Sequence, residues 1–260
     1  MASCDVLGYQ IYLNSFLYSG VTTVLDTGNV PPFILQLRAT VASRTIKGPR
    51  IYCVGPLIDG PDPIWASISV AITSKYQIPS IVAQLKSDRV DLLKLYSGLS
   101  DRLVRGISAE GKKNNLRTII DQGYRNGSID LMDEGIAGFA HLPSREVSDD
   151  VINHAKDKSI FFISTLILGE QDTLSRLQDL RYLQDPLVAD VTPPSQLQGL
   201  RELAQKSLAS ADQEHLRQSQ LRFQGAESNV KRLWDIGVLL AAGTDAPYPV
   251  IFKAKDCITS

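Results

Sequence analysis

The chain has 260 residues, of which 43% are hydrophobic, so it can bury one large core, and a single domain spanning 1–260 is expected. Its 27 basic and 28 acidic residues leave a net charge of -1, which argues against nucleic acid or a membrane surface as a partner. The three cysteines are scattered, and neither a signal peptide nor a membrane-length apolar stretch is evident. We therefore expect a cytoplasmic protein that acts on small molecules.

Short β-branched or apolar runs alternate along the chain with longer segments of helical periodicity. This alternation predicts parallel strands joined by helices, as in a (β/α)8 TIM-type barrel. The seven predicted strand segments are Thr22–Asp26, Arg50–Leu57, Val90–Tyr96, Leu116–Asp121, Ile136–His141, Ile160–Leu166 and Val238–Asp245.

Ionisable residues stand at or near the ends of five of these runs: Asp26, Lys94, Asp121, His141 and Asp245. A barrel carries its chemistry at the C-terminal ends of its strands, so this series predicts a functional site there. Taken singly, each residue can also be a solvated strand end. The series as a whole favours the site.

Three other segments have a recognisable pattern. The region Met1–Tyr18 fits either a helix or an alternating strand, and Ser148 predicts the N-cap of a helix that runs to about Lys158 and carries His154 as an ordinary histidine. From about 169 to 228 the spacing of leucines predicts a helical insertion with a joint near Thr192–Ser195 and a solvent-facing His215.

Five segments, in order, resemble the amidohydrolase superfamily, especially its imidazolonepropionase-like and Xaa-Pro-dipeptidase-like branch. The resemblance implies a metal-dependent hydrolase built on a (β/α)8 barrel. The matching segments are Ser19–Gly28, Gly48–Tyr52, Val90–Tyr96, Gly135–His141 and Asp235–Pro247.

By this resemblance, Lys94 stands at the position of a carboxylated lysine ligand, His141 at a histidine ligand and Asp245 at the aspartate that binds metal and acts as catalytic base. Asp121 falls where the family has another histidine, so it is the fourth candidate ligand. The implied cofactor is a divalent metal, zinc by its ligand chemistry, whose bound water would be the nucleophile.

The family's His-x-His pair on the first strand has no counterpart, because the chain has three histidines and none precedes His141. We therefore expect an incomplete barrel that lacks this first strand and the family's small β-sandwich. Exposed strand edges would then favour a partner strand or a homo-oligomer.

The implied activity is hydrolysis of carbon–nitrogen bonds in small-molecule amides or cyclic amides. The alternative is a catalytically inactive, truncated member of the family. Each candidate ligand also has an ordinary alternative. Lys94 would pair with Asp121 or Asp245, His141 would be a satisfied core histidine, and Asp245 would be a turn residue. An unrelated barrel that binds a phosphorylated metabolite would need a Gly-rich phosphate loop after its last strands, and none is found.

Overall fold

Parallel strands form the centre of the molecule. The computed structural model describes residues 9–121, 123–190 and 192–245. The strands within these ranges are β1 (Thr23–Asp26), β2 (Arg50–Cys53), β3 (Leu57–Asp59), β4 (Ser69–Ala71), β5 (Leu92–Leu95), β6 (Arg117–Ile120), β7 (Gly138–Ala140), β8 (Phe161–Ser164) and β9 (Leu240–Ala242).

The strand order is that of a barrel wall. β1 pairs with β2, and a seven-stranded sheet follows in the order β4-β3-β5-β6-β7-β8-β9. Every pairing is parallel. A hydrogen bond of 2.8 Å from the Asp91 amide to the Cys53 carbonyl joins the start of β5 to the end of β2. The prediction of an incomplete (β/α)8 TIM-type barrel is confirmed at this level.

Each of the seven predicted runs contains a strand, but one run is divided between two strands and one further strand was missed. The run Arg50–Leu57 is divided between β2 and β3, because Gly55, at a φ of 71°, turns the chain between them. The short strand β4 was not predicted at all. Its three residues are only partly buried, so they lack the apolar pattern that marks the other strands.

Helices connect the strands and cover the outside of the sheet. Their bounds are α1 (Gln10–Tyr18), α2 (Pro31–Ala42), α3 (Ile78–Ser87), α4 (Asp101–Lys113), α5 (Ile129–Asp133), α6 (Asp149–Asp157), α7 (Leu166–Asp172), α8 (Ser175–Gln178), α9 (Pro186–Ala189), α10 (Pro194–Ala209) and α11 (Gln213–Asp235). Short 3-10 helices occupy Ala66–Ile68, Lys75–Gln77, Gly123–Arg125 and Leu180–Gln184. Within the described ranges, none of the helices combines the length and apolar character needed to cross a membrane.

These bounds can be compared with the three helical segments predicted from the sequence. The part of Met1–Tyr18 that the structure describes is mostly helical, as α1, while residues 1–8 lie outside the described ranges. Ser148 is the N-cap residue of α6, as predicted, although its side chain makes no capping hydrogen bond. The predicted insertion at about 169–228 is occupied by α7 to α11 with short connections.

Two apolar clusters hold the helices to the strands. α2 begins with two prolines, which suit the first helical turn, and buries Phe33, Ile34, Leu37 and Val41 at helical spacing against β1 and β2. The larger cluster packs the β3, β5, β6, β7 and β8 side chains against α3 to α6, and it includes Leu93, Ile120 and Phe139. Burial of both sheet faces explains the continuous apolar runs in these strands.

Helix α11 is anchored to the loop that follows β7 by one buried amide. The Asn229 side chain is fully buried and donates from Nδ2 to the carbonyls of Pro143 (3.0 Å) and Arg145 (2.8 Å). Its Oδ1 accepts from the Val147 amide at 3.0 Å. All its hydrogen bonds go to backbone groups of one loop, so this asparagine positions the segment that leads away from the β7 end.

Replacing Asn229 with alanine should lower the free energy of unfolding by roughly 2–3 kcal/mol, because buried backbone groups lose their partners. Urea denaturation measures the change. The matched control is Ser228→Ala on the next position, whose hydroxyl reaches Glu146 at 3.4 Å, and it should change stability by no more than about 0.5 kcal/mol. Equal stability of the two variants would contradict the anchoring role.

Candidate functional site

The five predicted strand-end residues share one end of the barrel. Asp26 ends β1, Lys94 is the third residue of β5, Asp121 and His141 directly follow β6 and β7, and Asp245 comes three residues after β9. Since all these strands are parallel, their C-terminal ends meet at the same rim. Asp121 and His141 are in direct contact, and the charges of Asp26, Asp121 and Asp245 all act on Lys94, so the five side chains are treated as one cluster.

Asp121 and His141 form its best-defined contact. The His141 Nε2 lies 3.2 Å from Asp121 Oδ2, and the Gly123 amide donates to Asp121 Oδ1 at 3.0 Å. The other ring nitrogen, His141 Nδ1, is 2.7 Å from Thr165 Oγ1. Because an ionised carboxylate only accepts, Nε2 carries a proton towards Asp121, and in the neutral ring Nδ1 accepts from the threonine hydroxyl. The ends of β6, β7 and β8 are thus linked through one imidazole.

Asp121 is held as a carboxylate. Burial disfavours its charge, but the hydrogen bond from His141, the charges of His141 and Lys94 and the Gly123 amide outweigh that effect, so its pKa lies below the usual range. The backbone at His141 has a φ of 106°, which side-chain-bearing residues rarely adopt. Backbone strain of this kind is concentrated at functional sites in proteins.

Lys94 is the most deeply buried of the five residues and is 4% exposed. Desolvation lowers its pKa below the usual value, although the charges of Asp121, Asp245 and Asp26 act in the opposite direction. Among the residues that the structure describes, Lys94 forms no direct ion pair with a carboxylate. Asp121 and Asp245 therefore attract Lys94 at longer range and do not form a direct ion pair with it. A buried amine with a lowered pKa is also better suited to carboxylation than an exposed amine is.

The carboxylates of the cluster differ in their surroundings. Asp26 is half-buried and accepts from the Gly28 amide (3.2 Å) and from Asn29 Nδ2 (3.0 Å), so it also organises its own turn. Asp245 is exposed and has a φ of 52°. It is therefore the carboxylate that solvent or a bound molecule reaches most directly.

The predicted ligands do not form a ready metal site as arranged. Within the described ranges, no group of three or more histidine, cysteine, aspartate and glutamate side chains could hold a metal ion. Both ring nitrogens of His141 are already engaged, one by Asp121 and one by Thr165. The assignment of Lys94, His141, Asp121 and Asp245 as metal ligands stays a prediction.

The other histidines lie apart from the cluster. His154 on α6 pairs with Asp133 at 2.9 Å, which fits the prediction of an ordinary histidine. His215 on α11 is exposed, as predicted. Of the cysteines, Cys53 is buried with a free thiol, while Cys4 and Cys257 lie outside the described residues.

The structure adds residues that the sequence reasoning missed. Thr165 directly follows β8, but it is not ionisable, so the search for ionisable residues at strand ends passed over it. Asp59 ends β3, is fully buried, and accepts from the amides of Gly60 (2.8 Å), Gly98 (2.8 Å) and Ile64 (3.3 Å). It was overlooked because the predicted strand ended at Leu57. Its contacts order the loops beside Lys94.

A cleft of about 280 Å³ opens beside the cluster, between the ends of β7 and β8 and the helices α7 and α11. His141 and Thr165 form part of its wall, so it begins at the site itself. The remaining lining residues are Leu142, Ser144, Leu166, Leu168, Gly169, Asp172, Ser219, Arg222, Phe223 and Ala226.

Comparison with known proteins identifies the fold. No protein-family model and no curated protein matches the chain. Among solved structures, a putative prolidase from Bifidobacterium longum is similar with a TM-score of 0.66 and 19% identity, over 93% of this chain and 56% of that one. A Xaa-Pro dipeptidase with bound methionine is similar with a TM-score of 0.64 and 16% identity, over 96% of this chain and 60% of that one. A bottromycin amidohydrolase is similar with a TM-score of 0.72 and 14% identity, over 96% of this chain and 58% of that one.

The chain therefore spans less than two thirds of the length of these structures. At such low identity the likeness shows a shared fold. The resemblance to amidohydrolases found in the sequence motifs is confirmed in the fold, and it extends over more than nine tenths of this chain.

Replacing Lys94 with methionine should raise the free energy of unfolding at neutral pH by about 1 kcal/mol, because the cost of burying the amine is removed. The lowered pKa means that this cost outweighs the attraction of the carboxylates. Urea denaturation measures the difference, with the exposed Lys86→Met as control. A destabilised Lys94→Met protein would show instead that the lysine is needed to offset the charges of its three aspartates.

Proposed function

We propose that this protein is a hydrolase of the amidohydrolase superfamily that acts on carbon–nitrogen bonds other than ordinary peptide bonds, such as those of cyclic amides or dipeptide-like compounds. The observation that carries the proposal is the convergence of Asp26, Lys94, Asp121, His141 and Asp245 at the C-terminal rim of a barrel of this fold. The hydrolases and amidohydrolases among the structurally similar proteins support it.

In this proposal Asp245 is the general base. Its exposed carboxylate takes a proton from the attacking water as the oxygen bonds to the amide carbon, and it returns that proton to the leaving nitrogen as the carbon–nitrogen bond breaks. Lys94 interacts electrostatically with this carboxylate from inside the barrel. Asp121 holds His141 in one orientation at the edge of the cleft, so the imidazole contacts whatever binds there.

The resemblance also implies a divalent metal, with zinc as the expected ion. The donors present fit it poorly: His141 and Asp121 are suitable ligand types, but they bond to each other, and Lys94 would contribute only after carboxylation. No catalytic step is assigned to the metal on these residues. Metal dependence is therefore a separate part of the proposal with its own test.

The second candidate is a catalytically inactive member of the same superfamily. It is favoured by the engagement of both ring nitrogens of His141, since Nε2 faces Asp121 and Nδ1 faces Thr165, so neither nitrogen is free to bind a metal. In that reading the strand-end cluster is a structural remnant whose charges balance one another. Activity and metal binding measured on the same preparation distinguish the two candidates.

Purified protein should hydrolyse at least one compound in a panel of cyclic imides, N-acyl amino acids and Xaa-Pro dipeptides, measured as product formed by mass spectrometry. Asp245→Asn should lower kcat by about 100-fold or more, because the amide cannot accept the proton. The matched control is Asp235→Asn at the end of α11, where the carboxylate pairs with Lys231 on the surface. No turnover of any compound, with or without added zinc, would favour the inactive member.

Zinc should bind weakly to the protein as prepared, and added bicarbonate should raise the bound zinc, because carboxylated Lys94 would supply an anionic oxygen. Elemental mass spectrometry gives the metal content per chain. Lys94→Met should remove the bicarbonate effect, and His141→Ala should lower zinc under all conditions. A bicarbonate effect that persists in Lys94→Met would overturn the role given to this lysine.

A further inference from the structure

The cleft beside the cluster contains an arginine without an acidic partner. Arg222 on α11 lines it, and its Nη2 donates to Ser219 Oγ at 2.7 Å. Ser219 is itself 1% exposed, so this bond fixes the arginine to a buried point of its own helix. Within the described part of the chain, no carboxylate forms an ion pair with Arg222.

The other arginines and the lysine of α11 are all paired with carboxylates. Arg217 contacts Glu214 at 2.7 Å, Lys231 contacts Asp235 at 2.6 Å, and Arg232 contacts Asp149 at 2.6 Å. A guanidinium has five N–H donors in a planar fork, and it binds carboxylates in a bidentate manner. Arg222 therefore differs from its neighbours in presenting its charge to a cleft.

The walls of the cleft combine polar residues with a group of apolar ones. Leu142, Leu166, Leu168 and Phe223 line it together with Ala226. Its volume of about 280 Å³ lies just below the roughly 300–1,000 Å³ that small-molecule sites occupy. It suits a compact ligand with an apolar body and one anionic group.

One acidic residue also faces this space, and its position restricts the ligand further. Asp172 is exposed and lines both this cleft and a neighbouring cavity of about 390 Å³, so it lies at the wall between them. Its charge disfavours a second carboxylate on the ligand. A ligand with a single carboxylate, directed at Arg222 and away from Asp172, is compatible with the charges of both residues.

We propose that Arg222 binds the carboxylate of an apolar N-acyl amino acid or a similar monocarboxylate, whose amide then lies towards His141 and Thr165. The binding itself is independent of catalysis, whereas the identification of this ligand as substrate rests on the proposed hydrolase function. Arg222 would thus determine specificity for substrates that carry a free carboxylate next to an apolar side chain.

Binding of N-acetyl-L-leucine and of its neutral analogue N-acetyl-L-leucinamide, each measured by isothermal titration calorimetry, tests this inference. The acid should bind roughly tenfold more tightly than the amide, and Arg222→Met should abolish that preference. Arg222→Lys, which keeps the charge but not the planar fork, should retain part of it. Arg217→Met on the same helix is the matched control and should bind like the unmodified protein.

Equal affinity for the two probes, binding of neither, or a preference that survives in folded Arg222→Met, checked by circular dichroism, would overturn the inference. The outcome is separable from that of the proposed function. A preference lost in Arg222→Met without turnover of any compound supports the carboxylate site and contradicts the hydrolase. Turnover with equal kcat/KM for acid and amide substrates supports the hydrolase and contradicts the site.

Discussion

The burial of Lys94 is the constraint on which the rim of this barrel depends. An amine placed inside a protein loses its hydration, and only nearby negative charge can offset that cost. The parallel strands provide the charge by bringing Asp26, Asp121 and Asp245 within electrostatic reach. Because burial outweighs this attraction, the pKa of the lysine lies below its usual value.

Asp121 connects this charge balance to the cleft. Its carboxylate is stabilised from one side by Lys94 and from the other by His141, and His141 in turn contacts Thr165. A change in the charge of Lys94 would therefore alter the interaction of Asp121 with His141, whose imidazole lines the cleft. The unusual backbone conformation of His141 is tolerated because these side-chain contacts and the backbone bond to Ile163 hold it in place.

Helix α11 combines two tasks on one face. Ser219, Arg222 and Asn229 follow the spacing of residues that share a helical face, so all three are directed towards the barrel. Asn229 secures the loop after β7, and Arg222 lines the cleft that begins where β7 and β8 end. The element that stabilises the wall of the site thus also supplies its candidate recognition group. A residue on a regular helix is held at a more constant position than one on a loop, so α11 is a suitable element to present Arg222 beside His141 and Thr165.

The sequence by itself determined the alternation of strands and helices and the series Asp26, Lys94, Asp121, His141 and Asp245, because periodicity and strand ends are local properties of the chain. It did not determine that the run Arg50–Leu57 is divided at Gly55, because a turn of the backbone interrupts the apolar pattern there. Nor did it determine the strand β4, which forms by pairing with β3 although its apolar pattern is weak. Only the tertiary structure decided that His141 bonds to both Asp121 and Thr165, and that Arg222 faces this cleft from a distant helix. Contacts between residues far apart in sequence leave no periodic trace, since they arise only when the elements pack together.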